Sequence, residues 1–153
     1  MIRCTSKAII IKDDKILLNR CRLKPGDPIF YDLPGGGQEQ YESMEDALKR
    51  EVLEECGYHI NIIGLAAVGE QIATSPYIRE NYPGHAHRLF HIFRAEVVGQ
   101  EEAHSNEDLW QEKSVWVPLG ELGALCVRPE VFTDRIEEII HSEKTVFCGC
   151  RML

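Results

Sequence analysis

Residues 34–58 read Pro34-Gly35-Gly36-Gly37-Gln38-Glu39-Gln40-Tyr41-Glu42-Ser43-Met44-Glu45-Asp46-Ala47-Leu48-Lys49-Arg50-Glu51-Val52-Leu53-Glu54-Glu55-Cys56-Gly57-Tyr58. The second half of this stretch predicts a helix over about residues 44–56. Ser43 stands at an N-cap position, where its side-chain oxygen can accept from an exposed backbone N–H. Asp46, three residues on, completes a variant of the capping box, and Glu45 and Asp46 suit the positive end of the helix dipole. Gly57 is the C-terminal stop signal.

At about 100° per residue, Met44, Ala47, Leu48 and Val52 form an apolar stripe with Glu51 inside it. Glu54 and Glu55 are the i+3 and i+4 neighbours of Glu51, so three carboxylates crowd one face. In isolation this is unfavourable. Like charges at helical spacing repel, carboxylates meet the wrong end of the dipole near a C-terminus, and turning Glu51 toward the core adds a desolvation cost. A divalent cation reverses these penalties, and carboxylate oxygens suit hard ions, Mg²⁺ first and Mn²⁺ as the alternative. The triple glycine lets backbone approach a ligand closely, so a carbonyl of Gly35 or Gly36 is a further candidate ligand. Arg50 and Glu54 form an i,i+4 pair in which the arginine can hold a carboxylate in place. A solvated acidic face and a plain turn are the ordinary explanations of such features taken singly. The combination, with acids on the apolar side and glycines just before them, favours a metal site.

The stretch resembles the signature of the Nudix hydrolases: Gly, five residues, Glu, seven residues, then Arg-Glu-aliphatic-any-Glu-Glu-any-Gly-aliphatic. Gly36, Glu42, Arg50, Glu51, Val52, Glu54, Glu55 and Gly57 fall on it in register. Tyr58 stands where the family has an aliphatic residue, and Tyr41 replaces a glycine common before the first Glu. Both departures bear on local shape more than on chemistry. The resemblance implies an α/β fold, an α/β/α sandwich with a mixed β-sheet between helices. It implies Mg²⁺-dependent hydrolysis of the pyrophosphate of a nucleoside diphosphate linked to another moiety, ADP-ribose or a nucleotide sugar before others. Nucleoside triphosphate hydrolysis and a non-catalytic ligand sensor are the alternatives. Arg50, Glu51, Glu54 and Glu55 are the expected catalytic residues, with Gly35, Gly36, Glu51, Glu54 and Glu55 around the metal. The family often recruits a further acid from beyond the signature.

Outside this stretch, 153 residues suit one domain spanning 1–153. A formal net charge of −8 argues against a nucleic-acid polymer or an anionic membrane as partner. It leaves a small nucleotide substrate open, because a bound cation screens the local field; a homodimer is left open too. No apolar run is long enough to span a membrane, and Met1-Ile2-Arg3-Cys4-Thr5-Ser6 leads straight into a strand-like run, so a cytoplasmic location and reduced cysteines are expected.

Ala8–Ile11 and Ile16–Leu18 read as a hairpin about Asp13-Asp14. Arg20, Arg22 and Lys24 follow at spacing two, and Arg20 and Arg22 are candidate phosphate contacts. Ile29–Leu33 is a short strand into the glycines. Residues 60–72 suggest a strand bent or bulged at Gly64 or Gly69. Residues 73–86 form a polar loop over a pocket, with Tyr77 and Tyr82 as candidates for base stacking or for pinning the loop. His87–Val98 is a strand. His85, His87 and His91 share a parity, which raises a zinc site as a weaker alternative. Glu101, Glu102, Glu107, Asp108 and Glu112 are candidates for the further acid, Glu107 and Glu112 lying nearer the next strand. Val115–Leu119 is a strand, and residues 145–148 a last edge strand. Between them, Pro129 opens a second amphipathic helix with Phe132, Ile136, Ile139 and Ile140 toward the core.

Overall fold

In the computed structural model, which describes residues 1–101 and 110–153, the first two strands set the frame. β1 (Arg3–Lys12) and β2 (Lys15–Cys21) form a hairpin in the register Ile11↔Ile16 and Lys12↔Lys15. Its two turn residues, Asp13 and Asp14, both have positive φ, 51° and 57°. Such a turn matches the right-handed twist of the flanking strands, and Asp tolerates the left-handed region better than most residues.

β1 then divides its pairing. Along its first eight residues it runs parallel to β6 (His87–Gln100), which pairs antiparallel with β5 (Tyr58–Ile72), which pairs parallel with β9 (Val146–Met152). On the other side β2 pairs antiparallel with β3 (Phe30–Asp32) and β7 (Gln111–Pro118), and β3 runs parallel to β8 (Val127–Arg128). The triple glycine itself is a short strand, β4 (Gly35–Gly37), antiparallel to β1 with Lys7↔Gly35. The result is a mixed, curled sheet whose two limbs part on either side of β1.

Both faces of β1 are covered, which is why it reads as a continuous apolar run rather than an alternating one. Ala8 and Ile10 join Leu17, Phe93 and Ala95 beneath Leu48 and Val52 of α1 (Met44–Cys56). Ile9 faces the other way with Phe90 and Ile92, against Phe132, Ile136 and Ile139. Helix on one face and helix on the other make an α/β/α sandwich, as expected.

Several local expectations are refined. The second amphipathic helix is two short ones, α4 (Glu130–Thr133) and α5 (Ile136–His141). A tight turn with Arg135 N–H on Phe132 O at 2.9 Å separates them; both halves still deliver Phe132, Ile136 and Ile139 to one core. β5 shifts register about Gly64 against β6 and about Gly69 against β9, and Gly69 also serves packing: a Cβ there would lie 2.9 Å from the Phe132 ring. The loop at 73–86 holds two short helices, α2 (Pro76–Asn81) and α3 (Pro83–Ala86). Tyr77 and Tyr82 meet edge to face with ring centroids 6.0 Å apart, so they pin that turn. All six cysteines are unbridged. Among the described residues, no helix is long and apolar enough to cross a membrane.

The two departures from the signature have physical consequences. Tyr58 packs edge to face on Trp116 at 5.8 Å and accepts from its Nε1–H at 3.1 Å, so an aromatic pair replaces an aliphatic contact. Tyr41 sits at φ 70° with its side chain fully exposed. The left-handed conformation costs a non-glycine residue ~1–2 kcal/mol, and glycine returns roughly 0.5–1 kcal/mol of that in unfolded-state freedom. Tyr41→Gly should therefore stabilise the protein by about 0.5 kcal/mol or slightly more in urea unfolding; a loss of stability would show that Tyr41 makes a compensating contact.

Candidate active site

The N-cap and stop signals of α1 form as read. Ser43 Oγ accepts from Asp46 N–H at 3.0 Å and donates to Asp46 Oδ2 at 2.7 Å. Gly57, at φ 74°, closes the helix with its N–H on Leu53 O at 2.9 Å. These fix the rotation of the helix. Ala47, Leu48 and Val52 are buried, whereas Met44, expected in the same stripe, is left largely exposed at the first turn.

Arg50 is the hub of the acidic face. Its Nε and Nη2 donate to Glu42 Oε1 and Oε2 at 2.9 and 3.0 Å, a bidentate pair. Nη1 reaches Glu51 Oε1 at 3.0 Å and Glu54 Oε2 at 3.4 Å, and Nη2 also reaches the Gly37 carbonyl at 3.2 Å. The i,i+4 contact with Glu54 exists but is the longest of the five bonds. The main partner is Glu42, which the residue-by-residue reading gave no role; its signal was its fixed place in the signature. Glu42 Oε2 also accepts from Glu39 N–H at 3.0 Å. The Arg50 and Glu39 bonds hold the Glu42 carboxyl down at about 2, well below its ordinary value.

Glu55 turns inward. Its Oε2 accepts from the Gly35 N–H and from Asn19 Nδ2, both at 2.9 Å. Ser114 Oγ, at 2.8 Å from Asn19 Oδ1, orients that amide. Burial raises Glu55 to about 8, despite the Lys7 charge and the Gly35 bond, which pull it down. Burial also raises Glu51 against the pull of Arg50. The Glu51 carboxylate packs so closely on Gly36 that a Cβ there would overlap it. Glycine at that position leaves the carboxylate its room.

Lys7 is the functional neighbour that sequence reasoning missed. Nothing in a strand-like run of isoleucines flags it, and only the Lys7↔Gly35 register brings it to the site. Buried at 7% exposure, it donates to the Gly35 carbonyl at 2.6 Å and pairs with Asp32 Oδ2 at 3.2 Å. Burial works against its charge, but Asp32, Glu55 and Glu51 outweigh it and the Lys7 pKa is raised. The carbonyl expected to face a cation thus already has a cationic neighbour.

Among the described residues, no three His, Cys, Asp or Glu side chains are gathered into a ready cation site. The donor set still fits a hard divalent ion. Glu51, Glu54 and Glu55 offer oxygens on one helix face, Gly35 and Gly36 offer carbonyls beside them, and burial leaves Glu51 and Glu55 short of compensating charge. The histidines do not converge: His87 pairs with Glu70 at 2.6 Å, and His91 Nδ1 is buried without a hydrogen-bond partner.

A cavity of about 280 Å³ opens where the sheet limbs part. Lys7, Asn19, Gly35, Gly36, Gly37 and Glu55 line one part of it, and Phe30, Phe90, Trp110, Arg3, Arg88 and Arg128 another. Arg20 and Arg22 are not in its lining. β2 carries Asn19 and Cys21 toward the cavity, so alternation turns Arg20 the other way, and both arginines pair with Glu112, Arg22 at 3.0 Å. Glu112, a candidate further acid, is therefore engaged by two cations. Glu102, Glu107 and Asp108 lie outside the described residues.

Residues 3–139 match the family model described as NUDIX domain. No curated protein matches the chain at the level of sequence. Among solved structures, a NUDIX hydrolase from Nitrosomonas europaea is similar at 25% identity and a TM-score of 0.73, over 92% of this chain and 89% of that one. A MutT NUDIX hydrolase from Burkholderia pseudomallei is similar at 26% identity and a TM-score of 0.59, over 78% and 85%. An ADP-ribose pyrophosphatase from Streptococcus suis shares the fold at 21% identity and a TM-score of 0.64, over 95% and 98%.

Because the folded-state pKa of Glu42 is depressed, its contribution to stability is present above its ordinary carboxylate value, about 4.3, and is lost as pH falls toward about 2. The stability gap between the wild type and Glu42→Gln should be widest near neutrality and close on acidification, in urea unfolding at stepped pH. A gap independent of pH would mean that the carboxylate charge is not what holds Arg50.

Proposed function

The chain belongs to the Nudix family, hydrolases that act on phosphoric anhydrides and generally use divalent metals, and from that premise we propose what this member cleaves and how. It hydrolyses the pyrophosphate bond of a nucleoside diphosphate linked to another moiety, ADP-ribose or a nucleotide sugar first, with Mg²⁺ as cofactor and Mn²⁺ as its substitute. One observation carries this reading: buried Glu55 and the Gly35–Gly37 strand border the same cavity as a set of cationic side chains.

Glu51, Glu54 and Glu55 would hold the cation, with a carbonyl of Gly35 or Gly36. A bound divalent ion supplies Lewis-acid stabilisation of charge at phosphoryl oxygens. The chain's own residues do the rest. Arg50 fixes Glu51 and Glu54 in orientation and ties the helix to the Gly37 carbonyl. Asn19 and the Gly35 N–H hold one oxygen of Glu55, whose side chain lines the cavity. One of these glutamates, or a loop acid, accepts the proton of the attacking water. Lys7 is placed to meet a phosphoryl oxygen beside Gly35. Arg20 and Arg22, paired with Glu112, contribute to the mouth of the site only if a substrate displaces that carboxylate.

The similarity to an ADP-ribose pyrophosphatase supports the fold of this reading, and nucleoside triphosphates remain the alternative substrates. Phosphate release from a panel of ADP-ribose, nucleotide sugars and nucleoside triphosphates, with and without Mg²⁺, tests it. The expected result is Mg²⁺-dependent hydrolysis, reduced on the order of a hundredfold or more in kcat by Glu54→Gln and by Glu55→Gln with the fold intact. Wild-type rates in those variants would remove the assignment. Silence across the panel with tight ligand binding would identify a sensor instead.

A further inference from the structure

β1 and β6 lie parallel with Arg3↔Arg88, Thr5↔Phe90 and Lys7↔Ile92 opposed, so Arg3, Lys7, Arg88 and Phe90 share one face of the sheet. Lys7 stands at the Gly35 end. Arg3 and Arg88 stand four residues further along, roughly 13 Å of strand. The cavity floor therefore carries cations along its length, with Lys7 at Gly35 and the Arg3 guanidinium reaching back to Gly37.

The distal end has its own construction. Arg88 lies over the Phe90 ring at 5.1 Å, and its Nε is buried without a hydrogen-bond partner. Arg128 stacks on Phe30 at 4.0 Å, and the Arg3 guanidinium fills the space a Cβ on Gly37 would need. Aromatic faces thus hold two of the three guanidiniums in fixed planes. Compensation is thin. Glu130 lies 3.4 Å from Arg128 Nε and also accepts from Gln71 at 3.0 Å, while Asp32 pairs with Lys7 through Oδ2 and acts on Arg88 only at longer range. Among the described residues, these three arginines share two carboxylates, Glu130 and Asp32, and Lys7 draws on Asp32 as well, so cations outnumber acids here in a chain of net charge −8.

A nucleoside diphosphate joined to an unphosphorylated sugar offers this end only hydroxyls and a base, neutral acceptors that do not offset the guanidinium charge, whereas a phosphate accepts and offsets it together. We propose that Arg88, with Arg3 and Arg128, forms a subsite for a phosphomonoester carried by the substrate away from its scissile pyrophosphate. The preferred substrates are then phosphorylated members of the class named above: a nucleoside diphosphate derivative with an additional phosphate on a ribose. The reaction assigned to the Gly35 end is the premise of this substrate preference, but occupancy of the arginine subsite does not depend on turnover.

Two measurements separate the subsite from the reaction. The first is calorimetric binding of adenosine 5′-monophosphate and adenosine 2′,5′-bisphosphate to the full chain without added metal. The bisphosphate should bind at least about tenfold more tightly, the scale of one charge-assisted hydrogen bond. Arg88→Gln should bring the two within about twofold. Arg128→Gln, at a half-exposed position, should narrow the gap in the same direction should Arg88→Gln fail to fold. Equal affinities in the wild type, or a preference that survives both substitutions, overturn the proposal. The second is kcat/KM, with Mg²⁺, for ADP-ribose against 2′-phospho-ADP-ribose and for NADH against NADPH. A preference for the phosphorylated member that Arg88→Gln abolishes is the expected result, and a preference for the unphosphorylated member overturns it. Absence of hydrolysis with the bisphosphate preference intact would count against the reaction and leave the subsite standing.

Discussion

One guanidinium holds the acidic face of this protein together. Glu51, Glu54 and Glu55 lie within five positions near the carboxyl end of a helix, where their charges repel each other and meet the negative pole of the dipole. Arg50 touches two of them, grips Glu42 with both ends of its fork and reaches the Gly37 carbonyl. It thereby joins the helix, the loop before it and the glycine strand into one unit. Arg50 does not touch Glu55, which is held by Asn19 and the Gly35 amide and retains a raised pKa. The compensation is therefore incomplete, and what is left over is suited to a hard cation.

The geometry of the glycines follows from the same unit. β4 pairs with β1 closely enough that Gly35 brings its amide to Glu55 and its carbonyl to Lys7. Gly36 leaves room for the Glu51 carboxylate, and Gly37 for the Arg3 guanidinium. Of the three, Gly35 is required outright, by its φ of 120° and the Ser6 carbonyl beside it, while Gly36 and Gly37 make room for side-chain ends. β1 links this end of the cavity to the arginine end through its own alternation, so the spacing of the positions that carry the cations is set by strand geometry.

Much of this was legible in the sequence because the signals were local. The Ser43 cap, the Gly57 stop, the stripe of Ala47, Leu48 and Val52, and the spacing of the glutamates all lie within one helix. The Asp13-Asp14 hairpin and its apolar strand runs were readable for the same reason. What was not legible depends on register between distant segments. Lys7 in a run of isoleucines looks like a strand end facing solvent until pairing with Gly35 places it. Arg88, Arg3 and Arg128 come from three strands and meet only across the sheet. Arg20 and Arg22 were plausible phosphate contacts by type and spacing, but alternation along β2 gives the cavity to Asn19 and Cys21. The break between α4 and α5 also escaped, since the periodicity of Phe132, Ile136 and Ile139 continues across it.

The central claim is that the carboxylates of α1 are arranged for a divalent cation, and thermal unfolding with and without Mg²⁺ or Mn²⁺ tests it most directly, because it needs no substrate. A cation that binds only the folded chain stabilises it by ~2.7 kcal/mol at a hundred times its Kd. The account predicts a Tm that rises with either ion in the wild type and a much smaller rise in Glu55→Gln. A wild-type Tm indifferent to both ions, or an equal rise in Glu55→Gln, would contradict it.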